Sequence, residues 1–162
     1  MPTKRNTEGA LRWIVSILNK RNVPFQVSGG FAAKIYGSKR PLRDIDIEIP
    51  EASMKKVLKD IKPFIIYGPA HYKDRHFDVP LMTVRYEGQK IDLSASDNLK
   101  LFDSRTRKWV NYPVHLAASV WRTVFGITIP IASAEHLMNY KSMMGEKVQV
   151  KDIEAIEENL SR

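Results

Sequence analysis

Three aspartates and two glycines carry the chemistry legible in this sequence. The run Asp44-Ile45-Asp46-Ile47-Glu48-Ile49 alternates strictly between acidic and apolar residues. Successive side chains on a strand point to opposite faces, so Asp44 and Asp46 project together, about 6–7 Å apart at Cα. Two carboxylates so placed repel each other unless a cation sits between them. A hard divalent ion suits oxygen ligands, and Mg²⁺ (or Mn²⁺) fits a few carboxylates combined with phosphate oxygens. Asp92, between Ile91 and Leu93 on a later strand, would complete a site for one or two ions. In two-metal phosphoryl transfer such ions lie about 3.5–4 Å apart and clamp the attacking and leaving oxygens. Upstream, Ser28-Gly29-Gly30 ends a strand and opens a helix, with thirteen residues between Gly30 and Asp44. Glycines let phosphates approach the backbone, and a helix start aims free N–H groups at them. Each element alone has a plain reading, a solvated acidic strand face or an ordinary turn. Together, in this order, they point to a metal site beside a phosphate cradle, with Asp44, Asp46 and Asp92 converging.

The hydrophobic pattern predicts the elements that must position these groups. Leu11, Ile14, Val15 and Leu18 fall on one face of a helix over 7–21, with Thr7 as its N-cap. Residues 23–27 read as a strand. A helix is expected from Phe31 to about Tyr36, stopped by Gly37. The basic loop Lys39-Arg40-Pro41-Leu42-Arg43 leads into the strand 44–49, and 51–61 reads as a helix. A strand over 63–67 closes at Gly68-Pro69, and 69–79 reads as a polar loop exposing His71 and His76. Residues 81–86 and 90–93 flank Glu87-Gly88-Gln89 as a hairpin. Residues 96–125, with Trp109, Tyr112, Trp121 and Phe125 among Lys100, Arg105, Arg107 and Lys108, fit no single pattern. They offer either core aromatics ringed by solvated cations or a surface for RNA. A strand over 127–131 follows, then a helix capped by Ser133 to about Met144, then a last helix over about 149–160 burying Ile153, Ile156 and Leu160. The sum is one α+β domain over 1–162, a mixed or antiparallel sheet flanked by helices.

Charge and composition narrow the partners. Twenty-six Lys and Arg against eighteen Asp and Glu give +8, which favours an anionic partner such as a nucleotide or nucleic acid. The absence of cysteine excludes disulfides, thiolate metal sites and a cysteine nucleophile. Four histidines without clustered ligand spacing argue against zinc. No apolar run nears the ~20 residues of a membrane span, and no signal-peptide core follows the N-terminus. A cytoplasmic protein with no membrane partner is the expectation.

Val27-Ser28-Gly29-Gly30, Arg40, Asp44-Ile45-Asp46-Ile47 and Ile91-Asp92-Leu93 resemble, in order and spacing, the nucleotidyltransferase superfamily with its DNA polymerase β-like fold. That group includes the CCA-adding enzymes, the aminoglycoside and lincosamide nucleotidyltransferases and the nucleotidyltransferase toxins of toxin–antitoxin systems. The segment 131–137, with Lys141 and Lys151-Asp152-Ile153, is similar to the C-terminal part of small single-domain members, so the resemblance spans about 20–160. It implies a metal-dependent transfer of a nucleoside monophosphate from an NTP such as ATP. Asp44, Asp46 and Asp92 would hold the metals, and Asp92 would help deprotonate the acceptor hydroxyl. Ser28, Gly29, Gly30, Arg40, Arg43 and Lys141 would bind the nucleotide. Many relatives carry Thr or His where this chain has Leu42, and many carry an extra acceptor-binding domain. The acceptor, a small molecule, a tRNA end or a protein side chain, would then meet surfaces built from this chain, a second copy or a partner protein. Two other readings stand beside this one: a non-catalytic regulator or toxin–antitoxin component of the same fold, and a basic RNA-binding protein.

Overall fold

The alternating run 44–49 lies near the centre of a mixed sheet. The computed structural model describes residues 4–161. In chain order these form α1 (Thr7–Lys20), β1 (Gln26–Ser28), α2 (Gly29–Ile35), β2 (Asp44–Ile49), α3 (Met54–Ile61), β3 (Ile65–Lys73), β4 (Phe77–Tyr86), β5 (Gln89–Ala95), β6 (Lys100–Asp103), β7 (Lys108–Asn111), β8 (Val120–Val124), β9 (Ile127–Ile131), α4 (Ala134–Met144) and α5 (Lys147–Leu160). The strands pair in the order β7-β6-β4-β5-β2-β1-β9-β8, with β3 also on β4. β2 runs antiparallel to β1 and parallel to β5, and β1 runs parallel to β9. The α+β class and mixed sheet expected from the sequence are present.

Strand parity sorts the two faces. Ile45, Ile47 and Ile49 are fully buried with Ile91, Leu93 and Ala95, in one core with Leu11, Ile14 and Leu18 of α1 and Val57 and Ile61 of α3. Each fully buried aliphatic side chain contributes roughly 1.5–3 kcal/mol relative to exposure. The opposite face carries the carboxylates. There α2 packs on β1 and β2, α5 packs on α2 and α4, and α4 also meets β6.

Several expectations change. Asn6, not Thr7, caps α1: its side-chain oxygen accepts from the Gly9 N–H at 2.9 Å. Thr7 instead donates to Gln89 at 2.7 Å. Helix α2 starts at Gly29, so both glycines lie in its first turn. The hairpin turn is Glu87-Gly88 alone, both residues at positive φ, and Gln89 already belongs to β5. The region expected as the loop 69–79 is mostly strand. β3 runs through it as an edge strand on β4, with pairing irregularities on either side of Tyr67. Its ladder holds polar side chains in an extended strand that hydropathy alone does not reveal. Residues 96–125 resolve into β6, β7 and β8. In α5, Ile156 is buried but Leu160 is 57% exposed, so the last turn does not dock as expected. No described helix is long and apolar enough to cross a membrane.

Candidate active site

One level of the sheet gathers the polar groups. Ser28 on β1 stands beside Asp46 on β2, Asp46 beside Asp92 on β5, and Asp92 beside Thr83 on β4. The Thr83 hydroxyl donates to Asp92 Oδ1 at 2.6 Å. One level along, Asp44 faces Lys90, whose Nζ lies 3.8 Å from Asp44 Oδ2. One level the other way is Glu48. It is not the solvated end of an acidic face: it is 6% exposed and takes the Gln26 side-chain amide at 2.9 Å. Ser28, Asp44, Asp46, Glu48 and Asp92 all line one cleft of about 560 Å³.

Lys90 offsets part of the negative charge at the acidic level of the cleft, but burial and the neighbouring carboxylates still dominate at Asp46. Burial, then the charges of Asp92 and Asp44, push the Asp46 carboxyl up to about 8. Burial also raises Asp92, against the bond from Thr83, and raises Glu48 to about 7. The three aspartates share a face and line the same cleft. They are not drawn into contact, however: among the described residues no group of three or more His, Cys, Asp or Glu side chains forms a ready-made metal site. Unneutralised carboxylates have no reason to approach more closely.

The two glycines serve different ends. Gly29 has φ +64°, and a Cβ there would run into the Asp46 carboxylate. Glycine at this position is demanded by the aspartate opposite. Gly30 is unconstrained by its surroundings: the nearest atom to a Cβ would be Arg40 Nη2, at 3.7 Å. Its small size leaves open space on the cleft wall.

Three cations line the cleft, Lys90, Arg40 and Lys141, and one buried carboxylate holds the last two. Asp152 on α5 is fully buried. It accepts from Arg40 Nε and Nη2 at 2.8 and 2.6 Å, from Lys141 Nζ at 2.9 Å and from the Ser38 hydroxyl at 2.6 Å. Burial works against its charge, but the bonds from Arg40, Ser38 and Lys141 hold the carboxyl at about 2. Lys141 is only 2% exposed, not a surface lysine, and also donates to Gln149 at 2.8 Å. Burial lowers its pKa, against the bond to Asp152. Arg43 lies apart from these two. It lines a separate hollow with Arg5, Asp44, Arg85 and Lys90, and its backbone oxygen accepts from Arg5 and Gln89. Arg43 is not among the residues that line the cleft with Gly29, Gly30 and Arg40.

Thr83 and Asp152 were not singled out by sequence as site residues. Thr83 had a usable signal: counting back from the turn Glu87-Gly88 pairs Tyr86 with Gln89 and Thr83 with Asp92. Asp152 had none beyond its place beside Lys151 in the C-terminal segment. The histidines of 69–79 also find partners. His71 pairs with Asp78. His76 is half-buried rather than exposed, and its Nε2 meets Glu146 Oε1 at 2.5 Å, with Arg75 on the same carboxylate at 3.0 Å. Those contacts tie the β3–β4 connection to the junction of α4 and α5.

An acidic pair on a central strand, a third carboxylate on its parallel neighbour and a Gly-Gly helix start line one cleft. Solved structures share the fold. A Thermotoga maritima structure described as a candidate nucleotidyltransferase is 19% identical, with a TM-score of 0.68 over 94% of this chain and 91% of its own. The lincosamide antibiotic adenylyltransferase LnuA, solved with lincomycin bound, is 17% identical, with a TM-score of 0.63 over 95% of this chain and 98% of its own. ANT(2'')-Ia, solved with adenylyl-2''-tobramycin, is 14% identical, with a TM-score of 0.58 over 95% and 87%. No curated protein matches the chain in sequence. The model of the aminoglycoside-2''-adenylyltransferase family matches residues 10–158, and the chain belongs to that family.

Proposed function

We propose that this nucleotidyltransferase moves a nucleoside monophosphate, AMP from ATP by analogy with its relatives, to a hydroxyl of a small molecule. The observation that carries this reading is one cleft uniting three neighbouring carboxylates with two cations fixed in place by a buried aspartate.

Asp44, Asp46 and Asp92 fit a divalent cation such as Mg²⁺ or Mn²⁺. Their donors are hard oxygens, and burial with mutual repulsion has raised Asp46 for want of positive charge. When bound, such an ion supplies Lewis-acid neutralisation of phosphate charge. The remaining work belongs to the chain. Arg40 and Lys141 meet the triphosphate charge already oriented, because Asp152 fixes both before any ligand arrives. Ser28 and the space at Gly30 let phosphate oxygens approach the wall of the cleft. Thr83 occupies Asp92 Oδ1, which leaves Oδ2 to take the proton of the acceptor hydroxyl. The acceptor oxygen bonds to the α-phosphorus, the bond to the β-phosphate oxygen breaks, and pyrophosphate leaves.

The test is pyrophosphate release and label transfer from α-labelled ATP with Mg²⁺, over a panel of hydroxylated small molecules. At least one acceptor should become labelled by the natural chain and none by Asp46→Asn. Label that appears equally with both proteins would overturn the assignment.

A further inference from the structure

Next to the row of Asp46 and Asp92 the charge reverses. Arg85 on β4 stands beside Lys90 on β5, and Lys90 stands beside Asp44 on β2. This row lies two residues along each strand from Thr83–Asp92–Asp46, so both rows face the same way. Arg43, the residue before Asp44, and Arg5 close the row into a hollow of about 420 Å³. Asp44 and Lys90 line both this hollow and the transfer cleft, so the two share a wall.

Bonds from the segment before α1 build the hollow. The Arg43 carbonyl accepts from Arg5 Nη1 at 3.1 Å and from the Gln89 side-chain amide at 3.0 Å. Asn6 donates its backbone N–H to the Glu87 carbonyl at 2.9 Å and its side-chain amide to Glu87 Oε2 at 2.6 Å. These contacts strap the segment across the turn of the β4–β5 hairpin and set Arg5 against the start of β2. They also engage the carboxylate of Glu87, which does not line the hollow.

What remains is a set of cations short of anions. Asp44 is the one carboxylate lining the hollow among the described residues, and it meets Lys90 loosely, at 3.8 Å. Among the described residues, Arg5, Arg43 and Arg85 pair with no carboxylate. Four cations less one carboxylate leave three positive charges in one concavity. Cations that converge without a partner repel one another, and a bound anion relieves them. Guanidinium forks grip phosphate oxygens two at a time. A single-stranded nucleic acid carries its charges along a track and asks for a stripe of cations, whereas these four meet at one point. Two linked phosphates match both the concavity and the charge.

We propose that Arg5, Arg43, Arg85 and Lys90 form a second anion site, beside the transfer cleft and separate from Arg40 and Lys141, that takes a diphosphate group. The site stands on its own charges and goes beyond the nucleotidyl-transfer reading.

The experiment is a titration of the full isotope-labelled chain with pyrophosphate in EDTA at constant ionic strength, followed by amide NMR. The signals of Arg43, Gly88 and Lys90 should move and saturate before those of Gly29 and Gly30, which face the Asp46 carboxyl with no metal to offset it. Replacing both Arg5→Gln and Arg85→Gln should weaken the response at Gly88 about tenfold, while a non-hydrolysable ATP analogue with Mg²⁺ binds within about twofold of the natural chain. If circular dichroism shows the double variant unfolded, Arg85→Gln alone, at an exposed position, makes the same test with a loss of about threefold. ADP distinguishes the source of the ligand: ADP moving the same amides assigns the diphosphate of a larger molecule, and a response to pyrophosphate alone assigns the free anion. Saturation first at Gly29 and Gly30, an unchanged response in the folded variant, or tighter binding of a uridine decanucleotide at the same amides overturns the diphosphate site. A natural chain that fails to bind the ATP analogue with Mg²⁺ counts against nucleotidyl transfer and leaves this site standing.

Discussion

Replacing Asp152 by Asn removes one charge and almost no volume from a fully buried position. The amide can still meet Ser38, but Lys141 and Arg40 lose their counter-ion, and Lys141 is 2% exposed. Two routes give the size of the effect. The folded carboxyl at about 2 lies about two pH units below its ordinary unfolded value, on the order of 2.5 kcal/mol of stability at neutral pH. Breaking a buried pair by deleting one partner costs about 3–5 kcal/mol, because the other charge is stranded. A loss of roughly 3–4 kcal/mol is therefore expected, or a Tm lower by roughly 10 °C in a domain of this size. Urea unfolding of both proteins across pH measures it. The sign follows from the depressed folded pKa: the stability is fully present above about pH 4 and is lost as pH falls toward about 2. The gap between natural chain and variant should thus narrow between about pH 4 and pH 2. Adding Lys141→Met to Asp152→Asn should restore part of the loss, since the stranded charge is gone. A gap below about 1 kcal/mol at pH 7, or one that is flat with pH, refutes the claim that Asp152 anchors the two cations.

Gly29→Ala should fold with reduced stability, through positive φ and the collision with Asp46, and lose about a hundredfold or more in turnover; turnover within threefold of the natural chain would show that Asp46 tolerates displacement. Gly30→Val should melt near normally, because open space surrounds its Cβ, while affinity for an ATP analogue falls about tenfold or more; unchanged affinity would remove this wall from the phosphate site. The folded chain should hold more protons than the unfolded between about pH 4 and pH 8, because the Asp46 carboxyl is raised to about 8. The stability this contributes is full below about pH 4 and is lost as pH rises through about 8, and Mn²⁺ added at pH 7 should release protons into a weakly buffered solution. Mn²⁺ binding without proton release would place the ion elsewhere.

The strand parity of 44–49 and the apolar flanks of Asp92 left little freedom in how the acidic face would be built, and both are legible without coordinates. The hairpin 81–93 is equally plain, because Glu87-Gly88 favours a two-residue turn. β3 is not legible. Tyr67, His71, Tyr72 and Lys73 sit on an edge strand whose ladder partner, rather than hydropathy, keeps it extended. β6 and β7 escape for a related reason: Lys100, Lys108 and Trp109 are exposed there, so alternation is faint. The pairing of Lys141 with Asp152 is invisible for another cause. Two charges that neutralise one another inside the protein look, in one dimension, like two solvated helix residues. Glu48 shows the limit of parity: it shares a face with Asp46, yet depth within the cleft, which no alternation encodes, decides that it is buried.

The row Ser28–Asp46–Asp92–Thr83 has a bearing on how the chain finds its fold. A strand shifted by one residue against its neighbour turns every side chain to the other side. Were β5 to slide one place along β2, Asp92 would be forced among the isoleucines and leucines of α1 and α3, and Ile91 or Leu93 would be thrust into the cleft. That misalignment is penalised by several kcal/mol for the stranded carboxylate alone. The acidic residues thus act as alignment marks during folding, excluding wrong pairings that a sheet of pure Ile, Leu and Val would accept. Removing them in a search for a more stable scaffold would also remove the information that tells β5 where to stop.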